Sequence, residues 1–150
     1  SVQAWTMLSE VEYELADYEA ALEDAEQCLQ LDDEATGCLA VAANAAQNLG
    51  YTEKHTIYIQ RYQELNPDDP ATVFNQAVTH LNALDDEKAR PLLEQCLEID
   101  PDFPKCLYEY GMMLLRSGDL EGAKQHLERF LEVDPEGVDA ATAAETVKYL

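Results

Sequence analysis

Leu93–Gly111, LEQCLEIDPDFPKCLYEYG, is the stretch of sequence that decides the fold. Its first half has the pattern of a helix end, and Asp100-Pro101 stops that helix because proline is poorly tolerated in a helix interior. Pro104 can open the next helix, since proline suits a first turn. The stretch therefore predicts two helices that meet in a tight antiparallel corner.

The same corner returns along the chain at a fixed interval of 34 residues. QELNPDDP precedes it and LEVDPEGV follows it, with Pro67, Pro101 and Pro135 in register. One step earlier, LQLDDEAT keeps the corner and has Asp33 in place of the proline. A period of this length is typical of stacked repeats in which each repeat contacts only its neighbours. We therefore expect a repeat array.

The chain is strongly acidic, with 31 acidic and 9 basic side chains and a net charge of −22. Such a charge repels phosphate backbones and anionic lipid headgroups, so the sequence predicts no nucleic-acid partner. No apolar run is long enough to span a bilayer, and we expect no direct membrane insertion. Two interpretations of the charge stay open. It either solvates the outer helix faces or selects a neutral or basic protein or peptide.

The four cysteines form two pairs about the corners. Cys28 and Cys38 straddle the first corner, and Cys96 and Cys106 straddle the third. Antiparallel helices would bring the members of each pair close together, so disulfides and buried free thiols both fit. Disulfides would indicate an extracytoplasmic setting and free thiols a cytoplasmic one. No CxxC motif or His-Cys cluster gathers four ligands, so we expect no metal site.

The residues at the recurring positions resemble the tetratricopeptide repeat family. The first repeat carries Trp5, Leu8, Ser9, Ala21 and Cys28 at the family positions, and the fourth carries Leu107, Gly111, Gly118, Ala123, Leu127, Phe130 and Pro135. The resemblance implies an all-α fold, a right-handed α-solenoid of four helix-turn-helix repeats with a C-terminal capping helix. We expect a single domain, 1–150, with repeats 2–35, 36–69, 70–103 and 104–137, and a capping helix at 138–150.

Two apolar faces are predicted at the ends of the array. In the first repeat, apolar residues recur at helical spacing and should form one seam between the two helices: Trp5, Leu8, Ala21, Ala25 and Cys28. In the tail, Ala141, Ala144 and Val147 share one helical face that would cover the fourth repeat. Such an end piece keeps a solenoid soluble.

The motifs of the common enzyme classes are missing from the sequence. It contains no glycine-rich phosphate loop, no Gly-x-Ser-x-Gly elbow and no HExxH pair. His55, His80 and His126 are too far apart in the repeats to suggest a metal site or a proton relay. We therefore predict a protein that is not an enzyme and uses no cofactor.

The family resemblance places ligand binding in the concave groove formed by the first helices of successive repeats. The residues expected to line this groove are Tyr13, Asn44, Asn48, Phe74, Asn75, Val78, Leu81, Asn82, Lys105, Tyr108, Met112, Leu115 and Arg116. In the third and fourth repeats the apolar members recur at i, i+4 and i+7. An apolar floor with amides at its edge can hold an extended segment or a short helix. The alternative is that some of these residues belong to the core between repeats.

One subset of the family, the co-chaperone domains that clamp the terminal carboxylates of chaperone tails, can be tested by position. Asn44, Asn75 and Lys105 fall at three of its five clamp positions. Ala40 and Glu109 occupy the two positions where the clamp has cations. Because one cation is lost and another is replaced by an anion, we expect weak or no binding to an acidic chaperone tail.

The sequence is compatible with three functions. The favoured one is a protein-interaction module or assembly scaffold that binds a peptide or partner helix in the groove. The second is a targeting or oligomerisation arm excised from a larger exported protein or enzyme. The third is a homo-oligomer that assembles through the ends of the stack.

Overall fold

The computed structural model describes residues 1–150 and contains nine α-helices and no strand. None of the nine combines the length and apolarity that a membrane crossing requires. The helices are α1 (Val2–Glu14), α2 (Tyr18–Leu31), α3 (Thr36–Asn48), α4 (Thr52–Leu65), α5 (Pro70–Asn82), α6 (Asp86–Ile99), α7 (Pro104–Ser117), α8 (Leu120–Val133) and α9 (Ala140–Val147).

Consecutive helices pack in pairs, α1 on α2, α3 on α4, α5 on α6 and α7 on α8. The predicted corner is confirmed, because α6 ends at Ile99 and α7 begins at Pro104. Local sequence sets the other boundaries as well. The side chains of Asp17, Asp85 and Asp119 each accept a hydrogen bond from the first turn of the helix that follows.

The chain divides into two compact units, an N-terminal unit of residues 1–67 and a C-terminal unit of residues 68–150. The N-terminal unit contains the first two hairpins, and the C-terminal unit contains the last two and α9.

Each unit contains one disulfide between the second helix of its first hairpin and the first helix of its second. Cys28 of α2 is bonded to Cys38 of α3, with Cα atoms 6.3 Å apart. Cys96 of α6 is bonded to Cys106 of α7, with Cα atoms 6.5 Å apart. All four cysteines are fully buried.

The core of the N-terminal unit is built from small side chains. Its buried cluster comprises Ala21, Leu22, Ala25, Val41, Ala42, Ala45 and Ala46. Small residues allow close helix approach, and α1 packs on α3 as well as on α2. A Cβ atom on Gly37 would lie only 2.8 Å from Cγ2 of Thr6, so glycine is needed where α3 meets α1.

The C-terminal unit has larger core residues in two clusters. One cluster contains Leu93 and Met113, and the other contains Leu127 and Phe130. Here α6 packs on α7, while α5 and α7 make almost no backbone contact with each other. The first helices of this unit are therefore spaced more widely than α1 and α3.

Two predicted faces are wrong in part. Ala21, Ala25 and Cys28 are fully buried as expected, but Leu8 is 44% exposed and does not join them. In the tail, Ala140 and Ala143 are the buried alanines, while Ala141 and Ala144 are exposed. Val147 packs on the core of the fourth repeat as predicted, so the tail helix covers that repeat, but the two alanines it buries each precede the predicted ones by one residue.

Candidate functional site

The predicted groove residues of the C-terminal unit lie on α5 and α7, and none of them is fully buried. We call this surface the α5/α7 face. Its half-buried members are Phe74, Val78, Leu81, Tyr108, Met112 and Leu115, and its exposed members are Asn75, Asn82, Lys105 and Arg116. Apolar side chains that stay partly open at equivalent positions of two hairpins offer contact area to a ligand.

On α5 the face is organised around Phe74. Its ring lies 6.3 Å from the ring of Phe103, centroid to centroid, in a tilted arrangement. The ammonium of Lys105 lies 5.8 Å from the Phe74 ring centroid, a cation–π contact. The other side of Phe74 packs on the core cluster that contains Leu93. The structure thus brings two predicted groove residues, Phe74 and Lys105, together.

On α7 the face is organised around Tyr108. The Tyr108 ring lies 5.4 Å from the Phe130 ring, and Met112 packs on the same core cluster. The α5 and α7 residues therefore rest on two different clusters. Each apolar stripe contributes part of its surface to the core and leaves the rest open to solvent. The two interpretations of these residues, as an open face and as core between repeats, therefore each apply in part.

A negative edge borders Tyr108. Burial raises the pKa of Glu109, the nearby Asp139 raises it further, and Arg116 opposes both. The pKa of Tyr108 is also raised, first by burial and then by Asp139 and Glu109. Arg116 is occupied, because its guanidinium donates to both carboxylate oxygens of Asp86, at 3.0 and 3.2 Å. Neither Glu109 nor Asp139 forms an ion pair, so their carboxyl groups make an acidic edge beside Tyr108 with no cation bonded to it.

In the N-terminal unit the predicted groove residues are polar and partly bonded to one another. The Asn48 amide donates to the Tyr13 hydroxyl at 3.2 Å and to the Asn44 backbone carbonyl at 2.9 Å. The Tyr13 ring lies 5.3 Å from the Tyr18 ring. The structure brings Tyr13 and Asn48 together and leaves the Asn44 side chain exposed. This surface, the α1/α3 face, has none of the apolar floor of the α5/α7 face.

Sequence reasoning did not assign Phe103 or Asp139 to the site. Phe103 directly precedes Pro104 in the corner, and an aromatic residue at a corner is a signal that could have been used. Asp139 precedes α9 in the position of a helix cap, yet its side chain makes no capping hydrogen bond. Only the folded chain shows that its charge acts on Tyr108 and Glu109.

Two of the three histidines, His55 and His126, are held by their own hairpins. His55 Nδ1 lies 2.9 Å from the Ala43 carbonyl oxygen, and His126 Nδ1 lies 2.8 Å from that of Gly122. His126 also meets the Tyr110 ring edge-on, at 4.9 Å between centroids. No group of three or more His, Cys, Asp or Glu side chains is placed to hold a metal ion.

Repeated helical hairpins and an open inner helix face define a class of protein, the all-α repeat proteins of the solenoid type. Two models of the tetratricopeptide repeat family match the sequence, one over residues 76–148 and one over residues 2–34. The chain belongs to the tetratricopeptide repeat family, whose fold is a scaffold for protein–protein interaction. No curated protein has a sequence that matches the chain significantly.

Solved structures show the same fold at low sequence identity. PilW, described as a widely conserved type IV pilus biogenesis factor, has a TM-score of 0.68 and 18% identity, covering 99% of this chain and 73% of its own. YrrB, described as a TPR protein with an unusual peptide-binding site, has a TM-score of 0.62 and 18% identity, covering 99% and 77%. MamA from Desulfovibrio magneticus RS-1 has the same score and identity, covering 99% and 92%.

Proposed function

We propose that the chain is a non-enzymatic interaction module that binds a peptide segment or a partner helix on the α5/α7 face. The observation that carries the proposal is the partial exposure of six apolar side chains at equivalent positions of consecutive hairpins. Membership of an interaction-scaffold family supports it. A peptide-binding site in YrrB, a protein of similar fold, supports it further.

The ligand would be apolar along one side and neutral or basic at its flank. Its apolar side chains would cover Phe74, Tyr108 and Met112, and the amides of Asn75 and Asn82 would pair with its backbone. A basic group beside Glu109 and Asp139 would neutralise their charge. An acidic tail would meet that same charge with only the exposed Lys105 to compensate it.

Substitution on the face tests the proposal. Peptides selected from a displayed random library against the whole chain would be measured by calorimetry with the wild type and a Tyr108→Ala, Met112→Ala double variant. We expect the double variant to weaken binding by about tenfold or more, because it removes two contact surfaces.

Leu120→Ala is the matched control, since Leu120 is a 52% exposed apolar residue of the same unit outside the face. Its affinity should equal that of the wild type. Unchanged affinity in the double variant would remove the α5/α7 face as the binding site.

A second proposal concerns the compartment. Two fully buried disulfides support an oxidising, extracytoplasmic setting, and with it the alternative that this chain is an arm of a larger exported protein. Protein isolated from its native host and denatured in iodoacetamide without reductant should take up no carbamidomethyl group. Uptake at all four cysteines would reject the oxidising setting and leave the α5/α7 proposal untouched.

A further inference from the structure

An apolar stripe runs along the open side of α1. Met7 is 60% exposed, Leu8 44%, Val11 53% and Leu15 75%. Met7, Leu8 and Val11 share one face of α1, and Leu15 directly follows the helix; we call these four residues the α1 stripe. Isolated exposed apolar residues are common on proteins, but four grouped along one helix indicate a surface that binds something.

The equivalent face of α3, 34 residues later, is covered. Val41, Ala42 and Ala45 correspond to Met7, Leu8 and Val11, and all three are buried. They belong to one core cluster with residues of α2, the helix that precedes them. In the first helix of the second hairpin, this face therefore receives another helix.

The C-terminal unit repeats the arrangement. Tyr110 and Met113 of α7 stand at the positions of Leu8 and Val11. Met113 is fully buried in a cluster with Leu93 of α6, and the Tyr110 hydroxyl donates to Glu94 of α6 at 2.9 Å. Two first helices of this chain thus use the same face to receive a preceding helix. The α1 stripe is the same docking face without a helix on it.

The charge around the stripe indicates what kind of helix would fit. Repeat 2–35 contains eleven Asp or Glu residues, and no Lys, Arg or His occurs before Lys54. Glu10 and Glu14 are exposed on α1, on either side of Val11 in the sequence. On the same helix, an oxygen of Glu12 is buried without a hydrogen-bond partner. Lys54 and Arg61 of α4 pair with Glu26 and Glu34, but no cation forms an ion pair with the glutamates of α1.

A second copy of the chain fits this surface poorly. Each copy has a net charge of −22, so docking on the stripe would bring two strongly acidic surfaces together. A helix with an apolar face and basic flanks would cover the apolar stripe and neutralise the negative charge around it. We propose that the α1 stripe docks an amphipathic helix of a partner protein, with small or aliphatic residues on its buried face and Lys or Arg beside them.

The α2 helix supplies the probe, because it covers the equivalent face of α3. An acetylated and amidated peptide of residues 18–31, with Glu19→Lys, Glu23→Lys, Asp24→Lys, Glu26→Lys and Cys28→Ala, keeps the apolar seam and reverses the charge. Its affinity for the whole chain would be measured by fluorescence anisotropy. We expect it to bind about tenfold more tightly than the same peptide with its acidic residues kept, and to weaken as salt is added.

Val11→Asp separates docking from simple charge attraction. It adds a negative charge, so a cationic peptide held only by the overall field would bind the variant more tightly. Docking on the stripe predicts weaker binding, by about tenfold, because the added charge interrupts the apolar contact. Ile57→Asp is the matched control, since Ile57 is 57% exposed and lies on α4. It should bind the peptide at least as well as the wild type.

Three results would overturn the proposal. The first is equal affinity of Val11→Asp and Ile57→Asp for the peptide, with circular dichroism showing both to be folded. The second is a wild-type dimer in light scattering that Val11→Asp dissociates, which would make a second copy the occupant. The third is loss of peptide binding in the Tyr108→Ala, Met112→Ala variant, which would place the peptide on the α5/α7 face.

Discussion

The N-terminal and C-terminal units follow one backbone plan at an interval of 68 residues. Left-handed turn residues recur at Ala16 and Leu84, and at Gly50 and Gly118. The disulfide recurs, and so does an ion pair, Arg61 to Glu34 at 3.0 Å and Arg129 to Asp102 at 2.8 Å. The turns, the disulfide and the ion pair therefore belong to the backbone plan that both units share, and they do not distinguish the two units.

The two units differ in the side chains that fill the plan. Ala25 and Ala45 stand where the C-terminal unit has Leu93 and Met113, and Gly37 stands where it has Lys105. In the N-terminal unit α1 and α3 lie close together and their shared face is polar. In the C-terminal unit α5 and α7 lie further apart and carry apolar side chains that stay partly open. The unit with the larger core residues is thus the one that can offer an apolar binding surface.

The largest expected effect comes from giving the C-terminal unit the small core residue of the other unit. Leu93 is fully buried, and Leu93→Ala should lower the free energy of unfolding by about 2–5 kcal/mol, through lost burial and the cavity left behind. The reverse change, Ala25→Leu, should cost about 1–3 kcal/mol, because the tight N-terminal core has no room for it. Urea unfolding followed by circular dichroism measures both. Equal tolerance of both changes would show that interior volume does not distinguish the units.

Removing either disulfide should give the next largest loss, and the two losses should be similar. Both bridges join cysteines ten residues apart, so they constrain the unfolded chain equally. The double variants Cys28→Ala, Cys38→Ala and Cys96→Ala, Cys106→Ala should each lose about 2–3 kcal/mol. Trp5, the only tryptophan, reports on the N-terminal unit during unfolding. A large loss in one unit alone would mean that native packing, and not chain entropy, sets the contribution of the bridge.

The helices and corners could be predicted from the sequence because their signals are local. Pro104 opens α7, and Gly118 takes the left-handed conformation that ends it. Coverage of a helix face is not local. The spacing of Leu8 showed which face it shares, but no local signal shows whether another helix lies there. Asp139 was missed at the site for the same reason, since its effect on Tyr108 depends on how α9 packs. That a partner binds the α5/α7 face or the α1 stripe stays a prediction.

Exchanging the residue at the closest approach of α1 and α3 should have a moderate effect. Gly37→Lys introduces the residue that the C-terminal unit has at this position. Its Cβ would collide with Thr6, whose side chain cannot turn away easily because its hydroxyl donates to the Val2 carbonyl at 2.9 Å. We expect a loss of about 1–3 kcal/mol by urea unfolding. In the double variant Gly37→Lys, Thr6→Ala the collision is removed, so most of the loss should be recovered. Failure to recover it would place the cost elsewhere.

The smallest expected effect is a pH-dependent one, confined to the N-terminal unit. Burial raises the pKa of Glu12, and Asp24 raises it further, whereas the corresponding residues of the C-terminal unit are His80 and Leu92. Because the pKa is higher in the folded state than in the unfolded chain, ionised Glu12 destabilises the fold. This loss of stability is absent at pH values below the pKa of Glu12 in the unfolded chain. It develops as the pH rises through the pKa of Glu12 in the folded protein.

Glu12→Gln should therefore stabilise the protein at pH 7, by less than about 1 kcal/mol since the side chain is partly solvated. The gain in stability should shrink as the pH falls below the usual pKa range of a glutamate. Urea unfolding at pH 7 and pH 4, followed by Trp5 fluorescence, measures it. Glu10→Gln, on the exposed side of the same helix, controls for the general relief of negative charge. An equal gain from Glu10→Gln at both pH values would attribute the effect to net charge, and the difference between the two units would then lie in packing alone.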